Sequence, residues 1–455
     1  MRYSCRSHKI GHRRYYDRYK CGIGNPLCYK NGELLTVPES RGDTFDVPEG
    51  RNLPQLLHKA GILGKTGPGT YAQLPIGWKI ITRLKRVIRV EMARIAAQEC
   101  CLPIIQQDGI IKSRLSEFGS DMFKLYDRQG KLLHLSPTCE ELACTFISSE
   151  LSPLSKSQLP LVLYQINTKF RDEMRCSDSG MRCREFLMKD AYSFHPDAVS
   201  ASLTYADFKE AYERIMNTIG IECHLRKNGD GNHVDEEFLV NINADGEPTE
   251  LEVAHLFQLG TTITSEAGLM FEDAGREQKP VYMNSYGIGI QRLMYAAIAK
   301  HSDGEGLALP QVMAPYDVAV VLCELDDVVS RHFASALHRV LLEKGLHPLL
   351  DDRDMAVKQR VADLKTIGVP HLIYISHSAE AATLKPAPAD VVRDIKVAAE
   401  VSNSYHLWQS EAPIKVQNGG SMCEDLMDKR VRYVWRKDGG EYTITVSELL
   451  DLLRI

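Results

Sequence analysis

Between Tyr164 and Phe194 the chain reads Y-Q-I-N-T-K-F-R-D-E-M-R-C-S-D-S-G-M-R-C-R-E-F-L-M-K-D-A-Y-S-F, two β-prone runs around a polar Ser/Asp/Gly loop. That order describes an antiparallel hairpin. The outgoing strand ends at Arg171 and Glu173 and the return strand carries Arg182 and Phe186, so cations and an aromatic ring gather at one tip. Such a tip can hold a nucleoside triphosphate. The planar fork of Arg171 suits an α-phosphate and would stabilise charge on a pentacoordinate centre better than an ammonium, while Phe186 offers a face on which a purine stacks. An isolated R-D-E is more often a solvated charged hairpin with its arginines paired to Glu173 and Glu185, so the assignment rests on the rest of the chain.

Up to Pro310 the β-prone runs, Leu161 to Ile166 and Leu251 to Leu259 among them, alternate with helices in no strict βαβ order, which predicts an antiparallel α+β domain. From Trp78, apolar residues at Ile80, Ile81, Leu84, Val87, Ile88, Met92 and Ile95 recur at helical spacing. This amphipathic helix runs into C-C-L-P-I-I, where Pro103 lacks a ladder donor and suits a strand edge or an interface. After Pro310 the pattern changes to strand Val318 to Cys323, helix Val328 to Lys344, strand Leu346 to Leu350, helix Val357 to Ile367 and strand His371 to Ile375, a small α/β domain with a parallel sheet. A closing strand and helix are expected over 431–453. The reading divides the chain into a lead-in at 1–51, a catalytic domain at 52–310 and a C-terminal domain at 311–455, with an insertion or long loop near 379–427.

A net charge of −5 argues against wholesale coating of nucleic acid, so RNA contact must be patchy. No apolar run is long enough to cross a bilayer. Twelve cysteines without a CxxC pair fit neither a disulfide framework nor a structural metal site, and point to a reducing compartment. Met1 to Lys20 carries Arg2, Arg6, Lys9, Arg13, Arg14, Arg18 and Lys20 against Asp17 alone. That composition is like a transit peptide and gives an expected address in the mitochondrial matrix; the alternative is a solvated basic arm on a cytoplasmic protein.

F-R-D-E followed by R-x-x-x-F-x-x-x-D, with Arg182, Phe186 and Asp190 in its positions, resembles the second signature of class II aminoacyl-tRNA synthetases. The wording around it is similar to the prolyl branch in particular. The helix that runs to Pro103 resembles the first signature, whose proline lies at a subunit interface, so a homodimer is implied. Y-G-I-G-I-Q-R-L, Tyr286 to Leu293, resembles the third, in which Arg292 would face the γ-phosphate from a helix start.

The resemblance implies an α+β class II catalytic domain with an antiparallel sheet, followed by an α/β anticodon-binding domain. It implies a ligase that activates L-proline with ATP and Mg²⁺ and loads tRNA(Pro). Arg171, Glu173 and Arg292 would carry the chemistry, with Arg182, Phe186, Gln258 and Thr261 completing the ATP site. Thr138, Glu140, Arg171, His255 and Ser285 would hold proline, and a carboxylate suits its secondary ammonium. Asp352, Arg353 and Lys358 would contact anticodon bases, whose Watson–Crick edges are open in a single strand. Cys139 stands where the family commonly has histidine, and Ser177 where it often has a second arginine. The span between the second and third signatures has no room for the large bacterial editing domain, as in the mitochondrial branch, which implies no built-in clearance of alanyl-tRNA. A synthetase-like protein kept only for nucleic-acid binding or regulation would have lost the arginines that this chain retains.

Overall fold

A computed structural model describes residues 53–110, 121–151, 154–177, 180–228, 235–244, 247–376, 429–437 and 440–453, with backbone segments at 29–30 and 33–34 and Lys396. The basic stretch from Met1 to Lys20 and almost all of the stretch near 379–427 lie outside the described residues. The chain divides into two compact units; residues 53–315 belong to the first, and the described residues from Tyr316 on, with the segments at 29–30 and 33–34, to the second.

The first unit is built on seven strands: β1 (Gln98–Glu99), β2 (Leu161–Phe170), β3 (Glu185–His195), β4 (His224–Asn228), β5 (Asp235–Ala244), β6 (Glu247–Gly260) and β7 (Tyr282–Gly289). Their order is β4-β5-β6-β7-β3-β2-β1, antiparallel throughout except where β1 joins β2 in parallel. The hairpin read from sequence is β2 and β3, paired from Leu161 with Phe194 to Phe170 with Glu185. Arg171 and Arg182 therefore lie in its tip rather than in its strands.

Three helices, α2 (Pro75–Arg94), α4 (Ala198–Thr218) and α6 (Ile290–Lys300), pack together behind the sheet, and short α1 (Leu53–Lys59) precedes them. Pro75 opens α2, where a missing N–H costs nothing. The helix stops at Arg94, short of the expected run to Pro103. Ala96 takes φ 54, β1 follows, and Pro103 is left exposed. Asp197 caps α4 by accepting from the Ser200 amide at 2.8 Å.

The pleat sorts side chains between the two faces. On β7, Tyr286 stacks on Phe208 of α4 at 3.7 Å and the Asn284 amide donates to the Ala201 carbonyl of α4, so the even positions face the helices. Ser285 and Gly287 face the other way. Helices α3 (Glu140–Glu150) and α5 (Thr262–Glu266) close part of that open face, burying Cys139, Ile147, Tyr192, Phe194, Ile263 and Met283 together. What they leave uncovered is the candidate site.

The second unit carries β8 (Val318–Leu322), β9 (Pro348–Asp351), β10 (His371–Ile375), β11 (Arg430–Trp435) and β12 (Glu441–Thr445) in the order β9-β8-β10-β11-β12. Helices α7 (Val328–Glu343), α8 (Val357–Thr366) and α9 (Val446–Leu452) accompany them. Strands β8, β9 and β10 are parallel, as the strand and helix alternation requires. The sheet is nevertheless mixed, because β11 and β12 pair antiparallel. The single closing strand expected from sequence is this hairpin, and Thr445 and Glu448 form a capping box that starts α9.

Arg353 departs from its expected role. Its guanidinium donates to both oxygens of Asp351 at 3.0 and 2.8 Å and to Asp363 at 2.7 Å, and the residue is 6% exposed. A guanidinium held by two carboxylates inside the fold cannot also read a base. Arg360 completes the knot through the carbonyls of Asp351 and Leu322, at 2.9 and 2.8 Å. Arg353 thus shapes the D-D-R-D loop, while half-buried Asp352 and exposed Lys358 remain at its surface.

Candidate active site

Glu140 is the first residue of α3, where the unpaired amides of a helix start favour negative charge. Its carboxylate is buried and accepts from two hydroxyls, Thr138 on one oxygen and Ser285 on the other at 2.8 Å. Thr138, Glu140 and Ser285, picked out separately along the sequence, are thus one cluster. A buried carboxylate whose oxygens accept from neutral hydroxyls suits the ammonium of a small ligand. The Thr138 carbonyl is fixed in turn by the Gln106 amide and the Ser136 hydroxyl, both at 2.9 Å. Cys139 faces away from solvent, with its sulfur 3.0 Å from the Ser136 hydroxyl, and burial pushes its thiol up to about 11.

An open pocket is lined by Arg171, Glu173, Arg182, Phe186, Glu252, His255 and Arg292, among others. The guanidinium of Arg171 sits over the Phe186 ring at 5.4 Å. Burial first, and then the like charge of Arg292, lower the Arg171 pKa. The Glu252 carboxylate acts on both arginines, so the pocket gathers two cations around one anion. Backbone bonds hold the tip: the Arg171 amide to the Arg184 carbonyl at 2.9 Å, the Ser177 amide to that of Arg182 at 3.1 Å, and the Arg184 amide to that of Gly69 at 2.9 Å.

Arg292 projects from the first turn of α6 and donates to the Met181 carbonyl at 3.1 Å and to the Glu252 carboxylate at 3.2 Å. Glu252 also meets His255 Nδ1 at 3.1 Å. Three residues apart on a regular strand, Glu252 and His255 would face opposite ways. The register between β5 and β6 slips opposite Val253, and that bulge turns both side chains into the pocket. Burial raises the Glu252 pKa, but the His255 hydrogen bond and the charges of His255, Arg292 and Arg171 outweigh it and hold the carboxyl at about 2. Glu252 is the pocket carboxylate that sequence reading passed over; with Glu247 and Glu250 on the same strand, nothing in the sequence set it apart.

Gly287 explains the first glycine of the third signature. A Cβ there would lie 2.4 Å from the His255 ring, so only glycine lets His255 lie across β7. Gln258 and Thr261 do not join the pocket wall. Gln258 stands opposite Asn284, on the face covered by α4, and the Thr261 carbonyl is engaged in starting α5. The pleat carries Gln258 away from the face that His255 occupies.

Residues 123–301 match the model of the tRNA synthetase class II core domain (G, H, P, S and T). The proline–tRNA ligase of Zymomonas mobilis is 30% identical over 383 residues, covering 70% of this chain and 86% of that one. The proline–tRNA ligase of Rickettsia bellii is 28% identical over 405 residues, covering 77% and 93%. Among solved structures, Giardia lamblia prolyl-tRNA synthetase in complex with prolyl-adenylate superposes with a TM-score of 0.70 at 17% identity, over 88% of this chain and 78% of that one. The Cryptosporidium parvum enzyme complexed with halofuginone and AMPPNP gives 0.69 at 17% identity, over 88% and 75%. With the two arginines, the hairpin and the buried Thr-x-Glu pair in place, the chain belongs to the proline–tRNA ligase family of class II aminoacyl-tRNA synthetases.

Proposed function

We propose that the chain joins L-proline to tRNA(Pro) in two steps, and that the observation carrying this reading is the pairing of a buried carboxylate, Glu140, with the arginine-lined pocket of Arg171 and Arg292. Glu140 takes the secondary ammonium of proline, with Thr138 and Ser285 fixing its oxygens. The proline carboxylate attacks the α-phosphate of ATP, and pyrophosphate leaves. Arg171 stabilises charge as it builds on the α-phosphoryl oxygens, Arg292 receives the γ-phosphate, and Phe186 stacks on adenine. The terminal hydroxyl of the tRNA then takes the prolyl group and AMP leaves. No side chain forms a covalent intermediate; positioning and fixed charge carry the rate.

Among the described residues, no cluster of three or more His, Cys, Asp or Glu could hold a metal alone. Glu173 and Glu252 line the same pocket, and one or two carboxylates plus substrate phosphates suit Mg²⁺. These two residues would hold the ion, which supplies neutralisation of triphosphate charge. Gln258 and Thr261, expected at the adenosine, stand outside this scheme.

The basic stretch from Met1 to Lys20 supports a mitochondrial address. Exposed Pro103, with Ile105 beside it at 53% exposure, supports the homodimer implied by the first signature. Asp352 and Lys358 remain the proposed anticodon contacts. Among the described residues, no separate domain stands between β3 and β7, which supports the reading of a short form without the large editing insertion.

The reading is tested by charging. The purified chain is expected to attach radiolabelled proline to a tRNA(Pro) transcript in an ATP-dependent reaction. Failure to charge this transcript in the presence of ATP, Mg²⁺ and proline would count against it.

A further inference from the structure

Glu140 and Thr138 recognise their ligand only if the short segment between them is fixed, and its central amide has a buried partner. Cys139 N–H donates to the Tyr192 hydroxyl at 3.0 Å, and that hydroxyl lies 2.6 Å from Asp190 Oδ2. The phenol donates its hydrogen bond to Asp190 and keeps its lone pairs for the amide. Asp190 is held by the Gln165 amide at 2.8 Å and the Lys169 ammonium at 2.9 Å. Gln165 accepts from the Leu102 amide at 2.9 Å, which ties the chain to the backbone after β1. The bonds converge on Asp190 from two sides, from Leu102 through Gln165 and from Cys139 through Tyr192, and within each arm they polarise one another. All four side chains are at least nine-tenths buried, and burial pushes the Tyr192 pKa well above its ordinary value, so the phenol stays neutral.

We propose that Tyr192 is a positioning residue for amino-acid recognition, the fixed acceptor from which the Thr138–Glu140 segment hangs by the Cys139 amide. The inference rests on the reading of Glu140 as the proline ammonium's partner. Cys139 precedes α3 without a side-chain cap, so its amide bond to Tyr192 sets where the helix begins and hence where Glu140 points. The Thr138 carbonyl is clasped on one side by Gln106 and Ser136, and the next amide on the other by Tyr192. A shift of that amide would move both recognition side chains while leaving the triphosphate pocket, to which Tyr192 contributes no wall, as it was.

The test is Tyr192→Phe, which keeps the ring and removes the acceptor, with proline and ATP varied separately in pyrophosphate exchange. KM for proline is expected to rise about tenfold, with KM for ATP and kcat within about twofold of the unsubstituted protein. Gln165→Met, which leaves the phenol in place but loosens Asp190, should move KM for proline the same way by a smaller factor. An unchanged KM for proline in Tyr192→Phe overturns the proposal. So does a parallel loss in every kinetic parameter together with a lowered melting temperature, which marks Tyr192 as merely part of the core. If Tyr192→Phe does not fold, Gln165→Met decides alone, an unchanged KM for proline again overturning the proposal. Absence of proline-stimulated exchange in the unsubstituted protein would instead sink the reading of Glu140 beneath it.

Discussion

Arg171→Ala should slow proline-dependent pyrophosphate exchange by about a thousandfold, mostly in kcat. The residue sits in the tip of the β2–β3 hairpin, with its guanidinium over Phe186 and the like charge of Arg292 close enough to lower its pKa. A phosphate entering the pocket brings negative charge to two guanidinium groups that already line it. Charge grows on the α-phosphoryl oxygens during attack, so Arg171 contributes more in the transition state than in the ground state, which is the condition for an effect on kcat. Removing one such group costs about 10²–10³ at an oxyanion site and about 10³–10⁵ for an arginine at a transferring phosphoryl. Arg171→Lys keeps the charge and loses the fork, and should recover only a small part. Exchange by Arg171→Ala within a few-fold of the unsubstituted rate would remove Arg171 from the mechanism.

Glu140→Gln should act on the other substrate. Glu140 is buried and accepts from Thr138 and Ser285, and proline brings a secondary ammonium to its carboxylate. Truncating one partner of a buried charge pair costs about 2–5 kcal/mol, so KM for proline should rise by about thirtyfold or more while KM for ATP holds. Stability should move the opposite way. Burying the carboxylate costs desolvation free energy, so a neutral amide is expected to leave the melting temperature unchanged or raise it. A rise confined to KM for ATP, or an unchanged KM for proline, would contradict the assignment.

Much of this site was legible because its side chains follow the pleat. Gln165, Lys169 and Arg171 alternate along one run and Phe186, Asp190 and Tyr192 along the next, so both rows fall on one face once the hairpin is drawn. Glu252 was hidden because a bulge, which period-two counting does not foresee, turns it beside His255. Gln258 fails for the converse reason: likeness to a motif suggested a ligand, and the regular pleat carries it to the helix face. Arg353 shows a third limit. A charged loop in sequence reads the same whether its arginine faces water or, as here, two buried carboxylate partners. In the second unit the β-α alternation fixed the parallel strands, but β11 returns after a long stretch of chain, and its antiparallel sense depends on tertiary pairing with β10.

The most direct test of the account is amino-acid-dependent ATP–pyrophosphate exchange by the purified protein, run with Mg²⁺ across the twenty standard amino acids. Stimulation by proline, well above every other amino acid, is the predicted result. No stimulation by any of them would contradict it and favour a synthetase fold retained for binding or regulation.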